Sequence, residues 1–433
     1  MYDLISELIL YSDLGKDSVL EDLADAISQW ERGLSSKTEI KRQIHSDIKK
    51  ILDLSTAYGF DKNLWHCYLT WLLITNENSF SLTCEGAGAK EDASVNSFAE
   101  HDFKIFKKLF DYDFSPLERD LGMDCFSLIE NYHAIPKTDN VYDKEVSINV
   151  RALSEKIAAS RDEKEIFKIV TEFYKNYGVG MFGLHRAFRF KETPAGIEFI
   201  PIINADTVRL SDLVGYKRQK EELCRNTLAF CQGKKANNVL LYGDAGTGKS
   251  TSIKAVLNEY APMGLRMIEV YKYQFRSLSD IIAALKKRNY KFIIYIDDLS
   301  FEENEADYKF LKAVIEGGVE NRPDNILIYA TSNRRHLVKE TWKDKNDMEY
   351  NEDVHSSETM EEKLSLAARF GVSINYPSPK KQEFNEIVIS LARRAGLTMS
   401  DEELLYEANR WEIRKGSLSG RTAEQFINYL LGK

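Results

Sequence analysis

The run Gly243-Asp244-Ala245-Gly246-Thr247-Gly248-Lys249-Ser250, followed by Thr251, has the spacing GxxxxGK[ST]. It stands between an apolar segment, VLLYG, and a helix-forming one. Each residue type has a chemical reason. Glycines let backbone N–H groups approach phosphate oxygens with no Cβ in the way, and the start of a helix adds positive potential. A lysine at this spacing reaches the β- and γ-phosphates, and the serine hydroxyl can ligate Mg²⁺. The chemistry indicated is binding of a nucleoside triphosphate with Mg²⁺.

A second group is Phe292-Ile-Ile-Tyr-Ile-Asp297-Asp298, paired acids at the end of an apolar strand. In an open α/β sheet such a strand end lies beside the ligand crevice. Asp297 is then placed to hold the metal, and Asp298 to orient or deprotonate an attacking water. The alternative is that both acids cap the helix that follows. Asn333, at the end of NILIYATSN, is placed to hydrogen-bond the γ-phosphate or the water. Two arginines complete the set: Arg369, in SLAARFG, as a transition-state arginine of the kind often supplied by a neighbouring subunit, and Arg421, in LSGRTAEQF, reaching back from a C-terminal helix. Taken singly, each arginine also suits an ordinary surface ion pair.

The elements needed to position these residues are legible in the pattern. Near-continuous apolar runs at 239–243, 267–271, 292–297, 325–332 and 372–376 alternate with helical stretches, as in a parallel sheet covered on both faces. The chain expected is therefore α/β: a P-loop core with a five-stranded parallel sheet over 196–376, a helical domain over 1–195 before it, and a small helical lid over 377–433 after it. Leu20, Leu23, Ile27 and Trp30, then Ile40, Ile44, Ile48 and Ile51, repeat at helical spacing. The stretch around Pro194–Gly196 reads as a short β-hairpin closing the helical domain. Ser378 with Pro379 is expected to open the lid's first helix as N-cap and first helical residue.

In order along the chain, these motifs resemble those of the AAA+ ATPases. GDAGTGKS is similar to Walker A, FIIYIDD to Walker B, TSN to sensor 1, RFG to the arginine-finger segment and SGR to sensor 2. LVGYKRQK resembles the stretch that packs on adenine there, which implies that Val214 and Gly215 contact the base. FSLTCEGAGAKEDAS, NYGVGMFGLHRAFRF, IDDLSFEENE and NILIYATSNRRHL further resemble a bacterial family of AAA+ ATPases, domain-of-unknown-function family 815, across nearly the whole chain. The resemblance implies ATP hydrolysis in a homo-oligomer, ring or open ring, acting on a protein client through the N-terminal domain. Most AAA+ motors carry Asp-Glu where this chain has Asp297-Asp298, a form similar to the bacterial replication initiators and helicase loaders. Slow turnover is expected, since a carboxylate set back by one C–C bond positions water less well. A nucleotide-gated switch or loader for a nucleic-acid machine, and a non-hydrolysing scaffold, stay open as alternatives.

Composition sets outer bounds. Of 433 residues, 59 are Lys or Arg and 68 are Asp or Glu, a net charge of −9 that disfavours nucleic acid along the whole surface without excluding a local basic face. The most apolar run, Leu64 to Thr75, is too short to cross a bilayer. The N-terminus MYDLISELIL has an acid where a signal peptide is basic. The five cysteines form no CxxC motif and read as reduced thiols. A cytoplasmic protein without a membrane span is expected. His66-Cys67 and the Cys224/Cys231 pair read as core residues, and Tyr271-Lys-Tyr-Gln-Phe275 as the end of a strand or a projecting loop. Glu302 reads as an exposed helix acid, with assistance to Asp298 as the alternative, and the acidic stretch from Lys343 to Lys363 as a solvated loop or part of a subunit contact.

Overall fold

The computed structural model describes residues 1–15, 18–90, 92–134, 144–194, 196–203, 205–301, 307–316, 323–333, 337 and 366–432. Glu302 and the stretch from Lys343 to Lys363 lie outside the described residues. There are two compact units, one of Met1–Arg186 with Pro201–Ala205, the other of Ala187–Ile200 with Asp206–Lys433.

The first unit is helical. Local chemistry sets its helix ends: Ser36 and Glu39 form a capping box at the start of Lys37–Tyr58, and Gly59 closes that helix at φ 68°. Helix Leu64–Thr75 is apolar on nearly every side because it runs through the interior, with Trp65, Leu69 and Leu73 at 0–1% exposure. Within it Cys67 is buried, while His66 bonds the Phe110 carbonyl at 2.8 Å. Tyr174 donates to the Leu73 carbonyl at 2.6 Å, so the Tyr11 hydroxyl, 2.8 Å away, donates in turn to Tyr174.

A buried carboxylate fixes the N-terminal segment. Asp102, on helix Val95–Phe110, is 0% exposed and accepts the backbone N–H groups of Ile9, Leu10 and Tyr11 at 2.7–3.2 Å. The N–H groups replace the water it has lost.

The second unit is built on a sheet of seven strands in the order β2-β1-β4-β5-β6-β3-β7. In chain order these are β1 (Ala187–Thr193), β2 (Gly196–Pro201), β3 (Val239–Gly243), β4 (Leu265–Glu269), β5 (Lys291–Ile296), β6 (Ile326–Ser332) and β7 (Val372–Tyr376). The five strands from β3 to β7 pair in parallel. The expectation of five strands is corrected here to seven. The hairpin assigned to the end of the helical domain adds β1 alongside β4, in parallel, with Ala187 opposite Met267. β2 follows after a two-residue connection, too short for anything but an antiparallel return, so the sheet is mixed. Alternation of exposed and covered residues along β2 marks it as an edge, whereas all of β6 is buried. Three helices, Lys381–Arg394, Asp401–Lys415 and Gly420–Leu431, close on their own small core of Phe384, Val388, Ala408 and Phe426. No helix among the described residues is long and apolar enough to cross a membrane.

Asp102→Ala leaves three backbone N–H groups without their acceptor, at about 1–3 kcal/mol each when buried. It is expected to destabilise the helical unit by roughly 3 kcal/mol or more, read as a lower urea midpoint. Asp102→Asn keeps one acceptor oxygen and should lose less.

Candidate functional site

The sheet sets the level of every chemically interesting residue. β6 lies between β5 and β3, with Ile296 opposite Ala330 and Tyr242 opposite Ser332. Asp297, Thr331, Asn333 and the glycine-rich loop after β3 therefore emerge together at the carboxyl end, where open sheets of this kind bind ligands.

The loop depends on glycine at points that can be named. Gly243 has φ 137°, and a Cβ there would lie 2.1 Å from the Tyr376 carbonyl oxygen. Gly246 has φ 76°, and a Cβ would lie 3.0 Å from both Arg421 Cβ and Ser419 Oγ. The loop leads into helix Lys249–Tyr260. From Gly248 to Thr251 no backbone N–H has a hydrogen-bond partner among the described residues; the next, Ser252, bonds Gly248 O at 2.8 Å. A row of unpaired N–H groups on a glycine turn at a helix start is a cradle for an anion. The residues present thus fit a phosphate.

The Lys249 ammonium is folded over this cradle. It donates to Gly243 O at 2.9 Å, Asp244 O at 2.6 Å and Asn333 Oδ1 at 3.0 Å, so all three protons are placed. Burial pushes its pKa below the usual lysine range, against the pull of Asp244, Asp298 and Asp297; Arg421 adds to the fall. Asn333 has its amide between two charges: the oxygen faces Lys249, and Nδ2 donates to Asp298 Oδ1 at 2.8 Å. Ser250 Oγ donates to Asp297 Oδ1 at 2.7 Å, and Thr331 Oγ1 to the same oxygen at 2.5 Å. Burial raises the Asp297 carboxyl, but the Thr331 and Ser250 hydroxyls, with Tyr295 nearby, outweigh it and hold it below the usual carboxylate range. Ser250 and Asp297 fit a Mg²⁺ ion: one hydroxyl and one carboxylate, already in contact, beside a phosphate cradle. Asp298 has φ 51°, a left-handed conformation that aspartate tolerates better than most side chains.

The lid is tied to the loop. Ser378 does not start a helix; the helix begins at Lys381, and both the N–H and the hydroxyl of Ser378 donate to Asp244 Oδ2, at 3.0 and 2.7 Å. Those bonds hold the Asp244 carboxyl below its ordinary pKa. The Arg421 N–H donates to Gly246 O at 3.3 Å, which sets the start of helix Gly420–Leu431 against the loop. Val214 packs on the lid core, Gly215 has φ 77°, and Tyr216 stacks on Tyr376 with 5.0 Å between centroids. Arg369 is not brought into the set: among the described residues, none of the hydrogen bonds of Lys249, Ser250, Asp297, Asp298 or Asn333 goes to it. Of the aromatic run after β4, Tyr271 and Tyr273 stack at 5.8 Å with Tyr273 77% exposed, while Phe275 is buried.

Residues 183–433 match a family described as "Protein of unknown function (DUF815)". The chain belongs to the DUF815 family. The order and spacing of the motifs on the central parallel strands resemble those of AAA+ ATPases. A segment of 51 residues is 41% identical to the replication factor C large subunit of Methanococcus vannielii, covering 12% of this chain and 10% of that protein. Among solved structures, the RuvB Holliday junction branch migration motor of Thermotoga maritima is similar at 13% identity and TM-score 0.31, over 51% of this chain and 72% of that one. PCH-2 of C. elegans is similar at 18% identity and TM-score 0.36, over 52% and 65%.

Sequence reasoning passed over Thr331 and Tyr376. Thr331 lies within the TSN tripeptide, and its signal was a hydroxyl at the buried end of an otherwise apolar strand. Tyr376 had none, since its backbone and ring matter only through what they face.

Gly243→Ala is expected to destabilise the sheet unit more than Gly246→Ala, because its Cβ meets fixed backbone. Gly246→Ala carries the left-handed cost of about 1–2 kcal/mol and should loosen the lid. Differential scanning calorimetry of the two variants gives the order.

Proposed function

We propose that this chain is a Mg²⁺-dependent ATPase that turns over slowly in a homo-oligomer and couples nucleotide state to remodelling or loading of a client. The observation that carries the reading is the unbroken set of hydrogen bonds Lys249–Asn333–Asp298 and Ser250–Asp297–Thr331 beside the open N–H cradle. Gly243 to Thr251 take the phosphates, with Lys249 exchanging a backbone or amide oxygen for a phosphate oxygen of similar reach. Val214 and Gly215 lie against the adenine. Ser250 and Asp297 hold Mg²⁺, which when bound neutralises charge on the phosphate oxygens. Asp298 orients the attacking water, and Asn333 fixes the direction of that carboxylate. Arg421 reads the nucleotide from the lid. Arg369 acts from a neighbouring subunit on the nucleotide of the next.

One observation favours a nucleotide-gated switch over a fast motor. Asp298 has a short side chain, and in this state its carboxylate is held by Asn333. The short match to a replication factor supports a nucleic-acid machine as the client. A turnover rate raised by single-stranded or duplex DNA supports the loader; a rate raised only by unfolded or partner protein supports the remodeller.

Turnover per subunit is expected to rise steeply with protein concentration, and Lys249→Ala to weaken ATP binding at least tenfold in an equilibrium titration. Mixing Arg369→Ala with Lys249→Ala should recover part of the activity that neither has alone, because each supplies what the other lacks. A flat rate across concentration together with no recovery on mixing excludes a shared site.

A further inference from the structure

Asp297 and Thr331 stand abreast where β5 and β6 end, one residue beyond the Ile296–Ala330 pair. Thr331 is 2% exposed, and the described hydrogen bonds of its hydroxyl all go to the two acids. Its Oγ1 donates to Asp297 Oδ1 at 2.5 Å and accepts the Asp298 N–H at 2.9 Å. The direction is forced. An amide N–H can only donate, so the single hydroxyl proton is left for the Asp297 carboxylate. The Thr331 carbonyl works in the same corner, accepting the Leu299 N–H at 2.7 Å. One residue of β6 thus clamps Asp297, Asp298 and Leu299, and the middle one has the left-handed backbone at φ 51°.

We propose that Thr331 is a positioning residue for the reaction: its hydroxyl fixes Asp297 towards the divalent cation and holds the turn that aims Asp298. The inference rests on the reading of this site as one for Mg²⁺ and ATP. Two facts separate it from a hydroxyl that merely fills a strand. At a buried position on a strand reading Ile326-Leu-Ile-Tyr-Ala330, valine has the same shape and carries no polar group to satisfy. And whereas Ser250, the other donor to Asp297 Oδ1, is placed to touch the cation itself, the described bonds of the Thr331 hydroxyl all go to the two acids, so it acts on the cation only through them.

The test compares full-length wild type, Thr331→Val and Thr331→Ser. For each, affinity for a fluorescent, non-hydrolysable ATP analogue is measured in EDTA and in Mg²⁺, alongside the thermal midpoint and turnover. Removing an outer partner of a metal ligand typically costs 10- to 100-fold in metal affinity or activity. In Thr331→Val, affinity in EDTA should stay within about twofold of wild type, while the gain on adding Mg²⁺ and the turnover both fall about 10-fold or more; Thr331→Ser should restore most of each. Wild-type Mg²⁺ gain and turnover in Thr331→Val overturn the proposal. So does equal loss in EDTA, or a midpoint several degrees lower that serine does not rescue, since either marks the hydroxyl as a strand anchor. If wild type itself fails to bind the analogue in either condition, the nucleotide reading falls and this inference with it.

Discussion

Parallel pairing of β5, β6 and β3 brings three strand ends to one level, and the chemistry of the second unit depends on that register. Strands in this pairing are spaced by less than 5 Å, so residues one step beyond the last pair can hydrogen-bond from strand to strand. That is how Asp297 of one strand end meets Thr331 of the next, and how Asn333 meets Lys249 from the loop after β3. A slip of one residue between β5 and β6 would turn Thr331 and Asp297 to opposite faces. The long branched side chains of Phe292–Ile296 and Ile326–Tyr329 prevent it, because both faces of these strands are buried and neither tolerates inversion.

Charge at the strand ends is balanced through hydrogen bonds more than through direct ion pairs. Lys249 faces two carbonyls and an amide oxygen, and Asn333 passes its field on to Asp298. An amide between cation and anion gives each a hydrogen-bond partner while keeping the two charges apart. The lid joins the same network through Asp244 and Gly246, each a loop residue whose oxygen is held by the lid segment. The loop and the lid are thus joined by direct hydrogen bonds.

The helical unit follows a different logic. Its interior is filled by aromatic and aliphatic side chains, and two of its buried polar arrangements are closed within the unit: Asp102 with the N–H groups of Ile9 to Tyr11, and Tyr11 with Tyr174 in series. Such arrangements define one packing, because a shift of one partner leaves a buried donor or acceptor unmatched.

Much of this was legible in the residues. GDAGTGKS, the paired acids after an apolar strand and Asn333 announced themselves because their chemistry is carried by residue type at fixed spacing, and β7 was read to its ends since a buried parallel strand is a continuous apolar run. The hairpin was also read as a hairpin. What the sequence by itself could not determine was where it goes: joining the edge of the sheet depends on which free strand edge is available, and that is settled by the whole unit. The same holds for Ser378. Ser-Pro is a sound local signal for a helix start, but two hydrogen bonds to Asp244, 134 residues away, outweigh it. Thr331 is the clearest case. Its type is unremarkable on a strand, and only the tertiary register, which sets two acids of another strand beside its hydroxyl, turns it into part of the site.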